Sequence, residues 1–311
     1  MNPALAPDAL YAKSQLYIRR GFRAKGDGEF EEYQLWASLA LELLGKAVLA
    51  NVHPSLVADP QHYESLFAAC GRDISPDVRT ITAKTLFLRL GNIDKAFDAR
   101  HQKFCEQVAL RRNAELHSGE SPFSGMRPEL WEREYWGAIV VMLKMQDENL
   151  EAWLGVADAK TPSEIVVKAN EARQWAVADR IKRAGDEFAK NYKDPKQREK
   201  VIAQADQFRW WEQRGKIYLS PDGDMRDKCP SCGANALLLG TVFHEEVLDE
   251  VQNEESLMEV VEKHFSVEEF YCPACGLHLF GTDEIAAAKL TDVFTETEER
   301  EREFEEEYMN E

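Results

Sequence analysis

Arg112, Asn113 and His117 are side chains suited to phosphate and proton chemistry, and they lie within six residues of one another. A guanidinium can bind a phosphate through two parallel hydrogen bonds, an imidazole exchanges protons near neutral pH, and an amide can orient either group. At about 100° per helical residue, Asn113 and His117 share a face, whereas Arg112 lies about 140° from His117. We therefore expect that the three side chains on this one helix form only part of a site.

A second pair of chemically useful residues interrupts the otherwise apolar segment 35–49. Glu42 and Lys46 are one helical turn apart, so they can form an ion pair on one helix face. Such a pair could orient Arg112 and Asn113 across a helical bundle. Taken alone, it would only stabilise its own helix modestly.

Together these two patterns resemble the HEPN superfamily, in which an arginine and a histidine a few residues apart follow an earlier helix with an acidic and a basic residue. The resemblance covers residues 8–155. It implies a metal-independent endoribonuclease that cleaves single-stranded RNA in a composite cleft of a homodimer, in a toxin, stress or antiphage-defence setting. The residues to which it assigns roles are Arg112, Asn113 and His117 as catalytic groups, and Glu42 and Lys46 as supports.

In such a site His117 would act as general acid or base on the RNA 2′-hydroxyl and the leaving oxygen, and Arg112 would stabilise charge on the scissile phosphate. Attack by the internal hydroxyl would leave a 2′,3′-cyclic phosphate and spare DNA. Two alternatives stay open. One is a non-enzymatic adaptor built on a helical scaffold, and the other is a nucleotide-binding sensor that holds a phosphate without cleaving it.

Four cysteines form two pairs, Cys229-Pro230-Ser231-Cys232 and Cys272-Pro273-Ala274-Cys275, and a glycine follows each pair. Four thiolates in tetrahedral geometry match the preference of zinc and leave no position for a catalytic water. We therefore predict one structural Zn²⁺ per chain, bound by Cys229, Cys232, Cys272 and Cys275 in a zinc ribbon. Disulfides are rare in cytoplasmic proteins, and a thioredoxin-like redox site would need one such cysteine pair in a βαβ unit, so both fit this chain less well.

The remaining cysteines and the nearby histidines are given no role in this zinc site. Cys70 and Cys105 occur singly in apolar surroundings, which is typical of small buried side chains. His244, His264 and His278 are interpreted as surface or packing residues, because the four cysteines already satisfy zinc.

The net charge of −18 is concentrated in the last third of the chain. Residues 222–311 hold 25 acidic and 6 basic side chains, a balance of −19, which leaves +1 for residues 1–221. The helical part can therefore bind RNA through a local basic patch, whereas the acidic ribbon and tail should repel a phosphate backbone and suit a protein partner instead.

Apolar periodicity predicts a mainly α protein in which a HEPN-like helical bundle and a helical arm precede a small β zinc ribbon with an acidic helical tail. The predicted domains are 1–158 for the bundle, 159–221 for the arm or linker, 222–295 for the ribbon with its acidic insertion, and 296–311 for the tail. The longer helices are predicted at 8–24, 29–51, 78–90, 94–117 and 127–154, with another from about 162 to 214 broken near Asp194-Pro195.

The acidic insertion 245–263 is predicted to be helical, and the tail to be a solvated helix or frayed. Basic and aromatic residues alternate through the arm and could stack on single-stranded RNA, although we favour aromatics that pack inward beneath a solvated charged face. The sequence has no uninterrupted apolar run of about 18 residues, so no membrane association and a cytoplasmic location are expected.

Overall fold

The computed structural model describes residues 2–124, 128–212, 215–249 and 258–301. The chain divides into two compact units, Met1–Glu171 (unit 1) and Ala172–Glu311 (unit 2). The division falls inside one long helix, and each unit has a hydrophobic core of its own.

Unit 1 is entirely helical in its described residues, apart from one isolated β-bridge between Ala58 and Thr80. Its elements are α1 (Pro7–Gly26), α2 (Phe30–Val52), a 3₁₀ turn (Pro54–Leu56), α3 (Tyr63–Ala69), α4 (Ala83–Ile93), α5 (Ala99–His117), α6 (Pro128–Lys144), α7 (Leu150–Leu154) and the first part of α8 (Val156–Asn191).

Helix α2 is the centre of unit 1, and it packs against α1, α4, α5 and α6. Its apolar residues are buried almost all round, as its composition indicates. Among the described helices it is the one long and apolar enough to cross a bilayer, but 61% of that stretch is buried within the protein. Burial of this extent is typical of the core helix of a folded domain.

Two predicted helices of unit 1 begin later than expected. Helix α4 starts at Ala83 because the Thr82 side chain caps it, and Thr80 before it is engaged in the bridge to Ala58. Helix α5 starts at Ala99, where the Asp98 side chain accepts from the backbone N–H of His101. In both places the cap, and not the apolar pattern, sets the first helical residue.

The predicted helix 127–154 is interrupted. Helix α6 ends at Lys144, Asp147 adopts a left-handed φ of 58°, and α7 begins after the Asn149 cap. Helix α8 then starts directly after Gly155, earlier than predicted, and holds Pro162 inside its second turn. Helix α9 (Pro195–Ala205) ends before residue 206, and 206–212 hold turns and a short 3₁₀ segment (Trp210–Glu212), so the prediction of helix to residue 214 is wrong for the described residues there.

Unit 2 combines the second part of α8 with α9 and an antiparallel sheet. The sheet elements are β1 (Gly223–Lys228), β2 (Asn235–Asp249), β3 (Met258–Tyr271), β4 (His278–Phe280) and β5 (Val293–Glu301), with a short helix α10 (Gly281–Ala287) between β4 and β5. The strands follow the order β1-β2-β3-β4, and β5 pairs with the other half of β3.

The described parts of the acidic insertion and of the acidic tail are strands, not helices. Residues 245–249 extend β2, residues 258–263 begin β3, and residues 293–301 form β5. β-branched and aromatic residues lie among the acidic residues of these strands, and the sheet buries Val261, Phe265 and Phe294. The prediction of a helical insertion and a helical tail is therefore wrong here, and 250–257 and 302–311 lie outside the described residues.

The aromatic residues of the arm divide between two environments. Phe188 is buried, as the inward-packing prediction requires, whereas Trp175 is 71% exposed and Trp211 is 52% exposed. The inward-packing prediction therefore holds for part of the arm only.

Candidate functional site

An ion pair between Glu42 of α2 and Arg112 of α5 joins these two helices. Nη1 of Arg112 donates to Oε2 of Glu42, and Nζ of Lys46 donates to the other carboxylate oxygen, Oε1, over 2.8 Å. Glu42 therefore binds one cation from its own helix and one from α5. All three side chains are at most 15% exposed, so water screens these charges only weakly.

The charge state of Glu42 follows from this arrangement. Burial by itself raises the pKa of the carboxyl, but the charges and hydrogen bonds of Lys46 and Arg112 outweigh it, and the net pKa lies below the ordinary 4.5. Glu42 is thus ionised at neutral pH.

Asn113 holds the same guanidinium from the solvent side. Its Oδ1 accepts from Nη2 of Arg112 over 2.8 Å and from Nε over 3.2 Å. With the bond to Glu42, these contacts engage three of the five N–H donors of the guanidinium, and the other two have no hydrogen-bond partner among the described residues.

A cavity of about 450 Å³ adjoins this cluster. Its volume lies in the range of sites for small molecules or a nucleotide. Three cations and two carboxylates line it beside hydroxyl and apolar groups; the lining residues are Glu42, Lys46, Thr80, Ile81, Thr82, Ala83, Lys84, Glu106, Ala109, Leu110, Arg112 and Asn113.

His117 is not among the residues that line this cavity. It is the last residue of α5, and its side chain is exposed. The structure therefore brings together four of the five residues singled out in unit 1 and leaves the imidazole at the surface, about a turn and a half further along the helix.

Thr80 is a member of the cluster that the sequence analysis missed. Its Oγ1 accepts from Nζ of Lys46 over 2.9 Å, which fixes the ammonium group between a carboxylate and a hydroxyl. A threonine after a proline-rich loop carries no signal of this role. The bridge to Ala58 that positions it joins residues distant in sequence.

In unit 2 the four predicted zinc-ligand cysteines converge on one point. Their sulfur atoms all lie within 4.8 Å of one another, with 3.6 Å between Cys229 and Cys275 and 3.5 Å between Cys232 and Cys272. Sulfurs about 2.3 Å from a tetrahedral ion are roughly 3.8 Å apart, so the cluster could hold a metal ion such as zinc.

The two cysteine pairs adopt the same turn. The N–H of Gly233 donates to the carbonyl of Cys229 over 2.9 Å, and the N–H of Gly276 donates to that of Cys272 over 2.8 Å. Both glycines are left-handed, with φ of 75° and 74°. This conformation, strained for residues with a Cβ, turns both cysteines of each pair toward the same centre.

Hydrogen bonding among the four sulfurs couples their ionisation. It raises the pKa of Cys229 and Cys272 and lowers the pKa of Cys232 and Cys275. A metal ion at this centre would bind the four groups as thiolates, so its binding would release their protons.

His278 has a packing role, in agreement with the sequence interpretation. Its Nε2 lies 2.5 Å from Oε1 of Glu269, and its ring stacks on Tyr218. Both oxygens of Glu269 also accept from the backbone N–H of Tyr218, which ties the chain before β1 to the sheet.

Of the two remaining cysteines, only one is buried as predicted. Cys105 is buried in unit 1, where burial raises the pKa of its thiol well above the ordinary value. Cys70 is exposed at the end of α3, so its interpretation as a buried side chain is wrong.

No family model matches this chain, and no curated protein and no solved structure matches it either.

Proposed function

We propose that this protein is a metal-independent endoribonuclease whose cleft forms where two copies of unit 1 meet. One observation carries the proposal: the guanidinium of Arg112 is fixed by Glu42 and Asn113 beside a cavity and keeps two N–H donors for a phosphate. A cation held in advance stabilises developing phosphate charge without reorganising during the reaction.

Each residue of the cluster has a role that its contacts support. Glu42 orients Arg112, Lys46 holds Glu42 in place and Thr80 holds the ammonium group of Lys46, so these three are positioning residues. Arg112 binds the scissile phosphate. Lys84, exposed at the cavity, adds a charge for a neighbouring phosphate.

His117 supplies the proton transfer in this proposal. Because it lies outside the cavity lining of its own chain and is exposed, it is free to approach a phosphate bound by Arg112 of a second copy. The imidazole then removes the proton of the 2′-hydroxyl or returns one to the 5′-oxygen that leaves, and the product keeps a 2′,3′-cyclic phosphate.

The test compares wild type with Arg112→Ala, His117→Ala and the double variant on end-labelled single-stranded RNA in EDTA. Since general acid or base catalysis contributes about 10² to 10⁴ in rate, His117→Ala should lose at least about 100-fold. His53→Ala and Lys103→Ala, which remove an exposed histidine and an exposed cation elsewhere in unit 1, should cleave like wild type.

Mixing tests the shared cleft. An equimolar mixture of Arg112→Ala and His117→Ala should regain part of the activity, because a mixed dimer contains one intact arginine and one intact histidine. Cleavage by the double variant at the wild-type rate, with folding matched by circular dichroism, would falsify the nuclease proposal.

For the cysteine cluster we propose that the bound ion is Zn²⁺, one per chain, with a structural role. The four-sulfur ligand set supports this assignment, because thiolate ligands in tetrahedral geometry favour zinc and fill its coordination. Metal analysis of the purified chain and of Cys272→Ser tests it. Zinc should be present in the first and depleted in the second.

A nucleotide-binding sensor is the second candidate, and the position of His117 favours it over other non-enzymatic roles. The cavity has Lys46, Lys84 and Arg112 to hold phosphate oxygens, yet no imidazole among its lining residues to move a proton. A rise in the melting temperature of unit 1 with added nucleoside triphosphate, together with the absence of RNA cleavage, would favour this function.

A further inference from the structure

Strands β2 and β3 carry a second group of metal-ligating side chains, separate from the four cysteines. His244 and Glu246 alternate along β2, so they lie on the same face of the sheet. The antiparallel register places His264 of β3 directly opposite His244, and Glu262 directly opposite Glu246. Two imidazoles and two carboxylates thus occupy neighbouring positions on one face.

The distances among these groups suit a metal ion. One ligand atom from each of His244, Glu246 and His264 lies within 4.8 Å of the others, and the two imidazole centroids are 5.3 Å apart. Nitrogen and oxygen ligands about 2.0–2.2 Å from a tetrahedral ion are roughly 3.5 Å apart, so small side-chain rotations close the set.

His264 points to a ligand by its own environment. Its Nε2 is buried and makes no hydrogen bond in the described part of the chain, although Oε1 of Glu262 lies 3.2 Å away. A buried ring nitrogen without a hydrogen bond is costly unless something else satisfies it. A metal ion bound at this nitrogen, with Glu262 as a further ligand, satisfies both groups.

Charge supports the same conclusion. Glu246 and Glu262 are directly opposite each other, and like charges in that position destabilise a strand pair. The nearby cations Lys263 and Arg300 lie on the opposite face of the sheet, where both form ion pairs with Glu245. A divalent ion between the two glutamates removes the repulsion that these cations do not relieve.

We propose that His244, Glu246 and His264, with Glu262 completing the set, bind a second metal ion, a divalent transition metal of the zinc type. The imidazole and carboxylate ligands suit such an ion and distinguish the site from the all-sulfur cluster. The ion joins β2 to β3 several residue pairs along the strands from the cysteine pairs. This site is independent of the nuclease proposal.

The experiment uses the full chain with its cysteine cluster already loaded with Zn²⁺. Equilibrium dialysis against further Zn²⁺ should show one additional saturable equivalent per chain. His264→Ala should weaken this equivalent by more than about 100-fold, above the roughly 10–100-fold that loss of an outer-shell partner costs. Glu246→Gln, which keeps the shape of the side chain, should weaken it by at least about 10-fold.

Glu245→Gln is the matched control, because Glu245 neighbours the site on β2 but engages Lys263 and Arg300 instead. It should bind the second equivalent like wild type. Thiolate-to-metal absorption after Co²⁺ substitution checks that the cysteine cluster is intact in every variant, and if His264→Ala loses it, Glu246→Gln decides alone. Absence of a second equivalent in wild type, or unchanged affinity in the variants, overturns the proposal.

Discussion

The cysteine cluster of unit 2 and the Arg112 site of unit 1 differ in how far apart their residues lie in the sequence. Each cysteine pair comes from one tight turn, and the two turns repeat the same hydrogen bond and glycine conformation. The Arg112 site joins side chains 70 residues apart and adds Thr80 from a loop. A site made of local turns can be recognised by its spacing, whereas a site made across a bundle depends on which helix faces meet.

The two sites also differ in what they leave unsatisfied. The four sulfur atoms converge on one centre, where a single tetrahedral ion could bind all of them. The Arg112 site retains two guanidinium donors and a cavity beside them. The first arrangement is suited to stability, and the second to binding a ligand.

The largest expected effect is on the cysteine cluster. Cys272→Ser should unfold β1 to β4, because structural zinc contributes about 10 kcal/mol or more to the folding of small metal domains. Cys70→Ser, which changes an exposed cysteine, should have no effect. Hydrogen exchange resolves the outcome by strand, and unchanged protection of β2 and β3 in Cys272→Ser would show that the sheet does not depend on the proposed metal.

A smaller but clear loss is expected when the central carboxylate of the Arg112 site is removed. Glu42→Ala leaves Lys46 and Arg112 as neighbouring cations with little water around them and should cost about 3 kcal/mol. Chemical denaturation of unit 1 measures this. Asp77→Ala is the control, because its pair with Arg79 is exposed on both sides and should matter little. Equal effects of the two substitutions would mean that the α2–α5 pair is no stronger than a surface pair.

The ionisation of the same carboxylate should make the stability of the protein depend on pH. Because the folded-state pKa of Glu42 lies below the ordinary 4.5, its stabilisation is complete above pH 4.5 and is lost as the pH falls through the lower folded-state value. Wild type should therefore be more stable than Glu42→Gln at neutral pH, and the difference should shrink in acid. Melting temperatures of both proteins across this range give the answer, and a difference that grows toward acid contradicts the assignment.

The smallest expected effect is on the stability of His117→Ala, and it distinguishes a catalytic role of His117 from a structural one. His117→Ala alters an exposed residue at the end of α5 and should change the free energy of unfolding by no more than about 0.5 kcal/mol. Thermal melts measure this alongside the RNA assay. A large destabilisation would make His117 a structural residue and remove the reason to interpret lost cleavage as lost proton transfer.

Much of the helical order could be predicted from the sequence, because apolar spacing and residues such as Gly26 and Pro195 place the main helices. The cysteine cluster could be predicted as well, since each of its two turns is formed by a short contiguous segment with a recognisable cysteine spacing. The strands at 245–249 and 258–263 could not, because their many acidic residues outweighed the few apolar residues between them, Val247, Leu248, Val260 and Val261. Reading them as strands would have put His244 and Glu246 on one face and revealed the pairing with His264.

Because the six cysteines differ in burial, their reactivity toward a thiol reagent can also report how much metal is bound. Cys105 should stay silent toward a thiol reagent, because it is buried and its pKa is raised, while Cys70 should react whether or not metal is present. With the proposed Zn²⁺ bound, the remaining four should become reactive only after the ion has been withdrawn. Counting modified thiols by mass spectrometry therefore reports occupancy on the unaltered chain, with no added label.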